Sequence, residues 1–213
     1  MGKIDLSNFG LSGRIGPLIA YIVNGKQRFR TYAKPTNRKT AKQTSHRTKF
    51  GFVSKSLSPL FNEIKIGHRG QSLNYGTVCG KVMREAVVGD SPDYALDYSK
   101  ILIADGKLKL PASANILLQE ETNTITLRWD TDIIAGPGPG RDDDDVKIVC
   151  YNEAQSRIIK PNVTIKRTKG EASFQLPEKV KPEDMHFWLY MSSSYLDINS
   201  KSRYLVLTGN IAS

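Results

Sequence analysis

Along the chain, hydrophobic positions fall first into two short β-rich runs, then at helical spacing, and then into a series of short β-rich runs broken by polar or Gly/Pro positions. The first run is Leu18–Val23 followed by Lys26–Tyr32, two β-rich stretches separated by Asn24-Gly25. Asn-Gly between such stretches is the strongest short-range signal for a two-residue hairpin, because both residues accept the positive φ of a type I′ turn. The turn predicts a register that opposes Val23 to Lys26, Tyr21 to Arg28 and Ile19 to Arg30. Side chains alternate across a strand, so Lys26, Arg28 and Arg30 share one face with Ile19 and Tyr21. Leu18, Ala20, Ile22 and Phe29 take the other face, which is the one expected to join a core.

Helical spacing begins after the polar stretch 35–39. Thr40 followed three residues later by Gln43 is a capping-box pattern. From there Gln43, Arg47, Phe50 and Leu57 recur on one stripe with Val53 adjacent, and Lys42, His46 and Lys49 form a neighbouring stripe. Pro59 ends or breaks this helix, and Leu60–Ile66 continues as a short apolar segment. A second helix is expected from about Ser72 to Val88, with Tyr75, Cys79, Val82, Met83 and Ala86 as its apolar stripe and Gly89-Asp90 closing it.

From about Ser99 onward the pattern is β. YSKILIADGKLKL reads as a strand, an Asp105-Gly106 turn and a second strand. ANILLQE, TITLRWD, VKIVCYNE, NVTIKRT, ASFQLP, HFWLYMSSS and RYLVLTGNI follow, seven short runs broken at intervals near a dozen residues. That spacing predicts an antiparallel sandwich, with Trp129, Tyr151, Leu176 and Tyr190 as core anchors. The arrangement is similar to a fibronectin type III module with its core Trp on the second strand. AGPGPGR and the following Asp142–Asp145 form a loop between strands. The expected fold class is therefore α+β. A β-hairpin and two-helix module spans residues 1–98, and a fibronectin type III or Ig-like antiparallel β-sandwich spans residues 99–213.

Composition supports a folded chain: 213 residues with 39% hydrophobic positions are enough for a sizeable core. The net charge of +10 hides an asymmetry. Residues 1–69 hold 14 Lys and Arg against two acids, Asp5 and Glu63, while the other 144 residues hold 17 against 19. The whole positive excess sits in the first third, which points to a basic segment with an acidic partner. Cys79 and Cys150 form no CxxC pair and imply no disulfide framework. MGKIDLSNFGLSG lacks a charged region followed by an apolar one, so no signal peptide is expected, and no apolar run approaches 18 residues. The expected location is a virion or the cytoplasm.

Candidate chemistry is sparse. His46, His68 and His186 have no partners at metal-ligand spacing, and a nucleophile elbow, a P-loop and a dinucleotide fingerprint are all missing from the sequence. No catalytic residue and no cofactor is expected. Asp142, Asp143, Asp144 and Asp145, with Asp130 and Asp132, are the weak candidates for a hard cation such as Ca²⁺, against the reading of a solvated acidic tip. The basic stretch offers Lys26, Arg28, Arg30, Arg38, Lys42, Gln43, Arg47 and Lys49 as partner-binding residues. Lysines and arginines beside Tyr21, Phe29 and Tyr32 suit phosphates and stacked bases. Aromatics at alternating strand positions equally suit packing, and no known nucleic-acid motif covers the segment.

The order GxxGPxxxY, then NGKQRFRTY, a proline with a polar loop, and TxxQxxxRxKF resembles an uncharacterised, DUF6266-like family common in Bacteroidetes. The resemblance extends through SPDYALDYSKILIADGKL and the Trp129 strand to SKSRYLVLTGNI. It departs at GRIGPL, where members usually read a glycine-valine pair and this chain has Pro17. The family implies no activity. A looser likeness to short proteins encoded among bacteriophage structural genes implies a virion or assembly role. The expected function is a non-enzymatic structural or assembly protein, in its most specific form a phage virion component, whose basic module docks on a neighbouring subunit. The alternatives are a nucleic-acid-binding protein and an adhesin-like module using sandwich loops.

Overall fold

The computed structural model describes residues 10–34, 39–133, 137–159 and 165–208. The chain divides into two compact units, residues 1–41 and residues 42–213.

The first unit is a three-stranded antiparallel meander of β1 (Gly13–Ile15), β2 (Leu18–Val23) and β3 (Lys26–Thr31). Asn24 and Gly25 both hold positive φ, 51° and 72°, and the β2–β3 register is the one their turn predicts. β1 is an addition. Gly16-Pro17 makes a second two-residue turn that opposes Ile15 to Leu18 and Gly13 to Ala20.

α1 (Ala41–Leu57) begins directly after Thr40, belongs to the second unit from Lys42 onward, and buries Val53 and Leu57. Pro59 sits in a one-turn 3₁₀ segment, Ser58–Leu60, that leads into α2 (Phe61–Gly67). α3 (Tyr75–Glu85) is capped by Asn74, whose Oδ1 accepts a hydrogen bond from the Gly76 amide at 2.8 Å. A two-residue ribbon, β4 (Val87–Val88) and β5 (Ala95–Leu96), follows. The remaining strands are β6 (Ala114–Gln119), β7 (Thr124–Trp129), β8 (Asp145–Asn152), β9 (Arg157–Ile159), β10 (Ile165–Lys166), β11 (Glu171–Gln175), β12 (Met185–Ser193), β13 (Ile198–Asn199), β14 (Arg203–Leu205) and β15 (Leu207–Thr208). One sheet runs β11-β7-β6-β15. The other is built on the long β8–β12 pair, with β9, β10, β13 and β14 around it. Pairing is antiparallel throughout these two sheets except that β15 lies parallel to β6. All seven expected runs contain a strand, although 162–164 of the NVTIKRT run and everything after Thr208 lie outside the described residues.

Alternation along β8 and β12 explains the layering. Val146, Cys150, Met185, Phe187, Leu189 and Met191 point to one side, into a core shared with Ile116, Ile125, Leu127 and Trp129 of the other sheet. Val149, Tyr151, Trp188 and Tyr190 point to the opposite side, where Val53, Leu57, Leu60, Ile64 and Cys79 of the helices cover them. The molecule is a mixed α+β structure in which one sheet is buried on both faces. The four expected anchors are all buried but serve different cores: Trp129 and Leu176 lie between the sheets, Tyr151 and Tyr190 under the helices.

The second helix is shorter than expected, ending at Glu85 with Val87 and Val88 in β4, and the hairpin expected after Ser99 does not form. ILIADGKLKL is not a hairpin: residues 101–110 run without regular strands, and only Leu108 makes a bridge, parallel to Ser200. Ile101, Ile103 and Ala104 are buried, and their backbone groups find partners elsewhere. Trp188 Nε1 donates to the Ile101 carbonyl at 3.1 Å, and Ser202 Oγ accepts from the amides of Ile103 and Ala104. Gly106 is required by close approach rather than by a turn, since a Cβ there would lie 2.0 Å from the Asn199 carbonyl oxygen. Once the buried polar groups are satisfied by another element, no ladder is needed.

Candidate functional site

The register of the meander sorts its side chains into two unlike faces. Arg14, Ile19, Tyr21, Val23, Lys26, Arg28, Arg30 and Tyr32 share one, and Ile15, Leu18, Ala20, Ile22, Gln27, Phe29 and Thr31 share the other. The second face carries no charge, and the first holds four cations without an acid. Lys26, Arg28 and Arg30 are exposed and stand in line on β3, so the structure brings these three expected residues together. Arg14 is the cation that sequence reasoning passed over, because a three-residue strand between glycines leaves almost no alternation to read. The available signal was Gly16-Pro17, a turn pair that folds Arg14 back beside Ile19. Its guanidinium lies 3.8 Å from the centroid of the Tyr32 ring.

The face expected to be the core face is largely uncovered. Leu18 is 43% exposed, Ile22 51% and Phe29 39%, and among the described residues of this unit only Ala20 is buried. Gln27 ties the sheet to the chain before it, its Nε2 donating to the carbonyls of Leu11 at 2.7 Å and Tyr21 at 3.2 Å. The reason the expectation fails is supply: among the described residues of this unit no second layer lies over the apolar side.

Four more expected residues, Lys42, Gln43, Arg47 and Lys49, lie on α1. Its first ten residues bury no side chain, and the helix contains no acid. Lys42, His46 and Lys49 follow one stripe, with Lys49 Nζ 6.0 Å from the Tyr94 ring centroid, and Tyr94 Oη also meets Ser45 Oγ at 3.1 Å. Phe50, expected on the packing stripe, is exposed, and α1 meets the core only through its last two turns. Arg38 lies outside the described residues.

The acidic run does not converge. Arg141 Nε lies 3.5 Å from Asp143, the buried Asp144 accepts the Arg141 amide at 2.8 Å, and Asp145 meets Lys166 at 2.6 Å and Lys147 at 3.5 Å. Burial pushes the Asp145 carboxyl up, but the two lysines outweigh it and hold the group below the usual carboxylate range. Asp130 is engaged with its own loop, accepting the Asp132 amide at 3.0 Å. Among the described residues no three His, Cys, Asp or Glu side chains come together as a metal site. Basic side chains take up Asp143 and Asp145 separately, and backbone amides hold Asp144 and Asp130.

A hydrogen-bonded chain that sequence reasoning missed crosses the helix side of β12. His186 Nδ1 meets Tyr204 Oη at 2.9 Å, His186 Nε2 meets Glu153 at 3.3 Å, and the ring stacks on Tyr98 with centroids 3.9 Å apart. Burial lowers the His186 pKa, and Glu153 opposes that shift without cancelling it. Burial likewise pushes the Tyr98 hydroxyl up. The four groups come from positions 98, 153, 186 and 204, and only tertiary pairing brings them together.

No helix among the described residues is long and apolar enough to cross a membrane. No curated protein and no solved structure gives a significant match to the chain. The model of a family of unknown function, DUF6266, matches residues 10–205, and with nearly the whole length covered the chain belongs to that family.

Proposed function

We propose that the protein is a non-enzymatic structural or assembly component whose N-terminal meander docks on a neighbouring protein subunit. One observation carries this reading: a compact unit that buries only Ala20 among its described residues while leaving Ile15, Leu18, Ile22 and Phe29 exposed. Three strands need a covered apolar face to be stable, so this unit is built to be completed by something else. The opposite face, with Arg14, Lys26, Arg28 and Arg30, favours an acidic surface on that neighbour, and the uncharged face supplies the contact area. We read the two sheets of the second unit as a fibronectin type III-like sandwich carrying the docking unit, supported by their common core and by Trp129 within it. A phage virion part is the most specific form of the proposal.

Nucleic acid is the second reading, favoured by the tyrosines beside the cations. Tyr32 is already capped by Arg14, which leaves its face less available to a base, so the protein surface ranks first. The test is sedimentation of the full chain, alone and as co-purified from its native source, at low and high salt. A discrete self-associated or heteromeric complex that Ile22→Asp disrupts is the expected result. A monomer that co-purifies with nothing overturns the proposal, and retention of DNA on a filter that falls steeply with salt transfers it to nucleic acid.

A further inference from the structure

A cavity of about 230 Å³ opens between α3, the stretch after α2 and the segment after residue 100. Its apolar wall is Leu73, Val78, Val82 and Leu102, and its polar wall is His68, Lys81, Arg84, Glu85, Lys100 and Asp105. Thr77, Val78, Lys81, Arg84 and Glu85 fall at helical spacing on one face of α3, so a single rigid element presents most of the site. The far side is braced, because Gln71 Nε2 donates to the Asp105 carbonyl at 3.1 Å and the Asp105 amide reaches the Gly67 carbonyl at 3.4 Å.

The charges in this wall are not spent on one another. Lys100 is held by Asp97 at 3.1 Å, but neither Lys81 nor Arg84 makes an ion pair within 4.0 Å among the described residues. Among the described residues Glu85 and Asp105 make none either. His68 adds a defined acceptor. Its ring is buried, and Nδ1 lies 2.9 Å from the Ile64 carbonyl oxygen, which can only accept. Nδ1 therefore carries a proton, and in that tautomer Nε2 is the acceptor. Nε2 has no hydrogen-bond partner among the described residues, and His68 lines the cavity.

We propose that this cavity binds a small organic acid that carries both an apolar body and a hydrogen-bond donor, such as a short-chain hydroxy acid or amino acid. The carboxylate meets Lys81 and Arg84, where a charge-assisted bond to the guanidinium gives direction. The donor meets His68 Nε2 or the Glu85 and Asp105 carboxylates, and the body lies on Leu73, Val78, Val82 and Leu102. The site lies wholly within residues 68–105 and does not depend on the docking proposal.

The chain has three histidines, so the His68 ring can be followed individually by NMR. The full protein is titrated with leucine, with 2-hydroxy-4-methylpentanoate and with 4-methylpentanoate, which lacks the donor. Expected are saturable shifts of the His68 ring and of α3 amides with either or both of the first two, at a Kd near or below about 1 mM, and binding at least about tenfold weaker for the third. Leucine alone binding assigns the donor contact to the carboxylates, and equal binding of both assigns it to His68 Nε2. The exposed double variant Lys81→Gln/Arg84→Gln keeps the fold, shown by unchanged shifts elsewhere, and loses about tenfold or more in affinity. His68→Gln, which retains an acceptor, binds more tightly than His68→Phe. No shift at His68 with any of the three acids, or the same affinity in the double variant, overturns the proposal.

Discussion

β12 and β2 are both nearly continuous apolar runs and end in opposite circumstances. Every residue of β12 is buried except the half-buried His186, whereas β2 buries only Ala20. The difference lies in what each strand is offered. β12 is sandwiched, with Phe187, Leu189 and Met191 facing a second sheet and Trp188 and Tyr190 facing three helices. β2 is central in its own sheet, yet nothing among the described residues of its unit lies over Leu18 and Ile22. Alternation therefore tells which side chains share a face, and burial depends on whether a second layer exists to meet them.

The largest effect tests that contrast directly. Trp188→Ala removes a fully buried ring and its bond to the Ile101 carbonyl, and should cost about 3–5 kcal/mol in guanidinium unfolding of the full chain. Phe29→Ala, an aromatic at the uncovered face of β3, should cost less than about 1 kcal/mol in the isolated protein. Equal costs would mean that the meander is covered in solution and would break the comparison.

A smaller effect separates two glycines with the same freedom on paper. Gly106→Ala places a Cβ against the Asn199 carbonyl and should destabilise by about 1–3 kcal/mol. Gly51→Ala, on α1 with nothing within 4 Å of the new methyl, should stabilise by about 0.5–1 kcal/mol. Thermal denaturation of the two variants, shifting in opposite directions, is the check.

These glycines also show where the sequence was legible. Asn24-Gly25 is a local device, so the hairpin and its register could be read in full. Pro59 marked the end of α1 for the same reason. Asp105-Gly106 looks like the same kind of device, but Gly106 answers to Asn199, nearly a hundred residues away, and the segment around it is held by Trp188 and Ser202. HFWLYMSSS did contain the mark of double burial, since a strand covered on both faces lacks polar alternation. The basic face was legible apart from Arg14. The His68 cavity was not, because it joins positions 68, 81, 84 and 105 through packing alone.

His186 gives the next test, since it is the one side chain of β12 that titrates in the acid range. Burial holds its folded pKa below the ordinary 6.5, so the folded state resists protonation that the unfolded chain accepts. Its contribution is intact above about pH 6.5 and is lost as pH falls from there toward the lowered folded value, with a slope no steeper than about 1.4 kcal/mol per pH unit. Denaturant midpoints between pH 7 and 5 should fall in the native chain and fall less in His186→Gln. Parallel curves would assign the acid sensitivity to other groups.

The smallest effect on stability is also the one that separates docking from folding. Arg28 and Arg30 are exposed on a face that supports no core, so Arg28→Ala/Arg30→Ala should leave the unfolding free energy within about 0.5 kcal/mol of the native chain. If the face meets an acidic neighbour, the same double variant should weaken the complex and flatten its salt dependence, because the charges lost are those that salt screens. The pair of measurements is needed together. A variant that docks normally removes the basic face from the interface and leaves Ile22 and Phe29 to carry it. A variant that unfolds more easily shows instead that these arginines support the meander itself, and the contrast between a core-bearing unit and a partner-seeking one would then have to be drawn elsewhere.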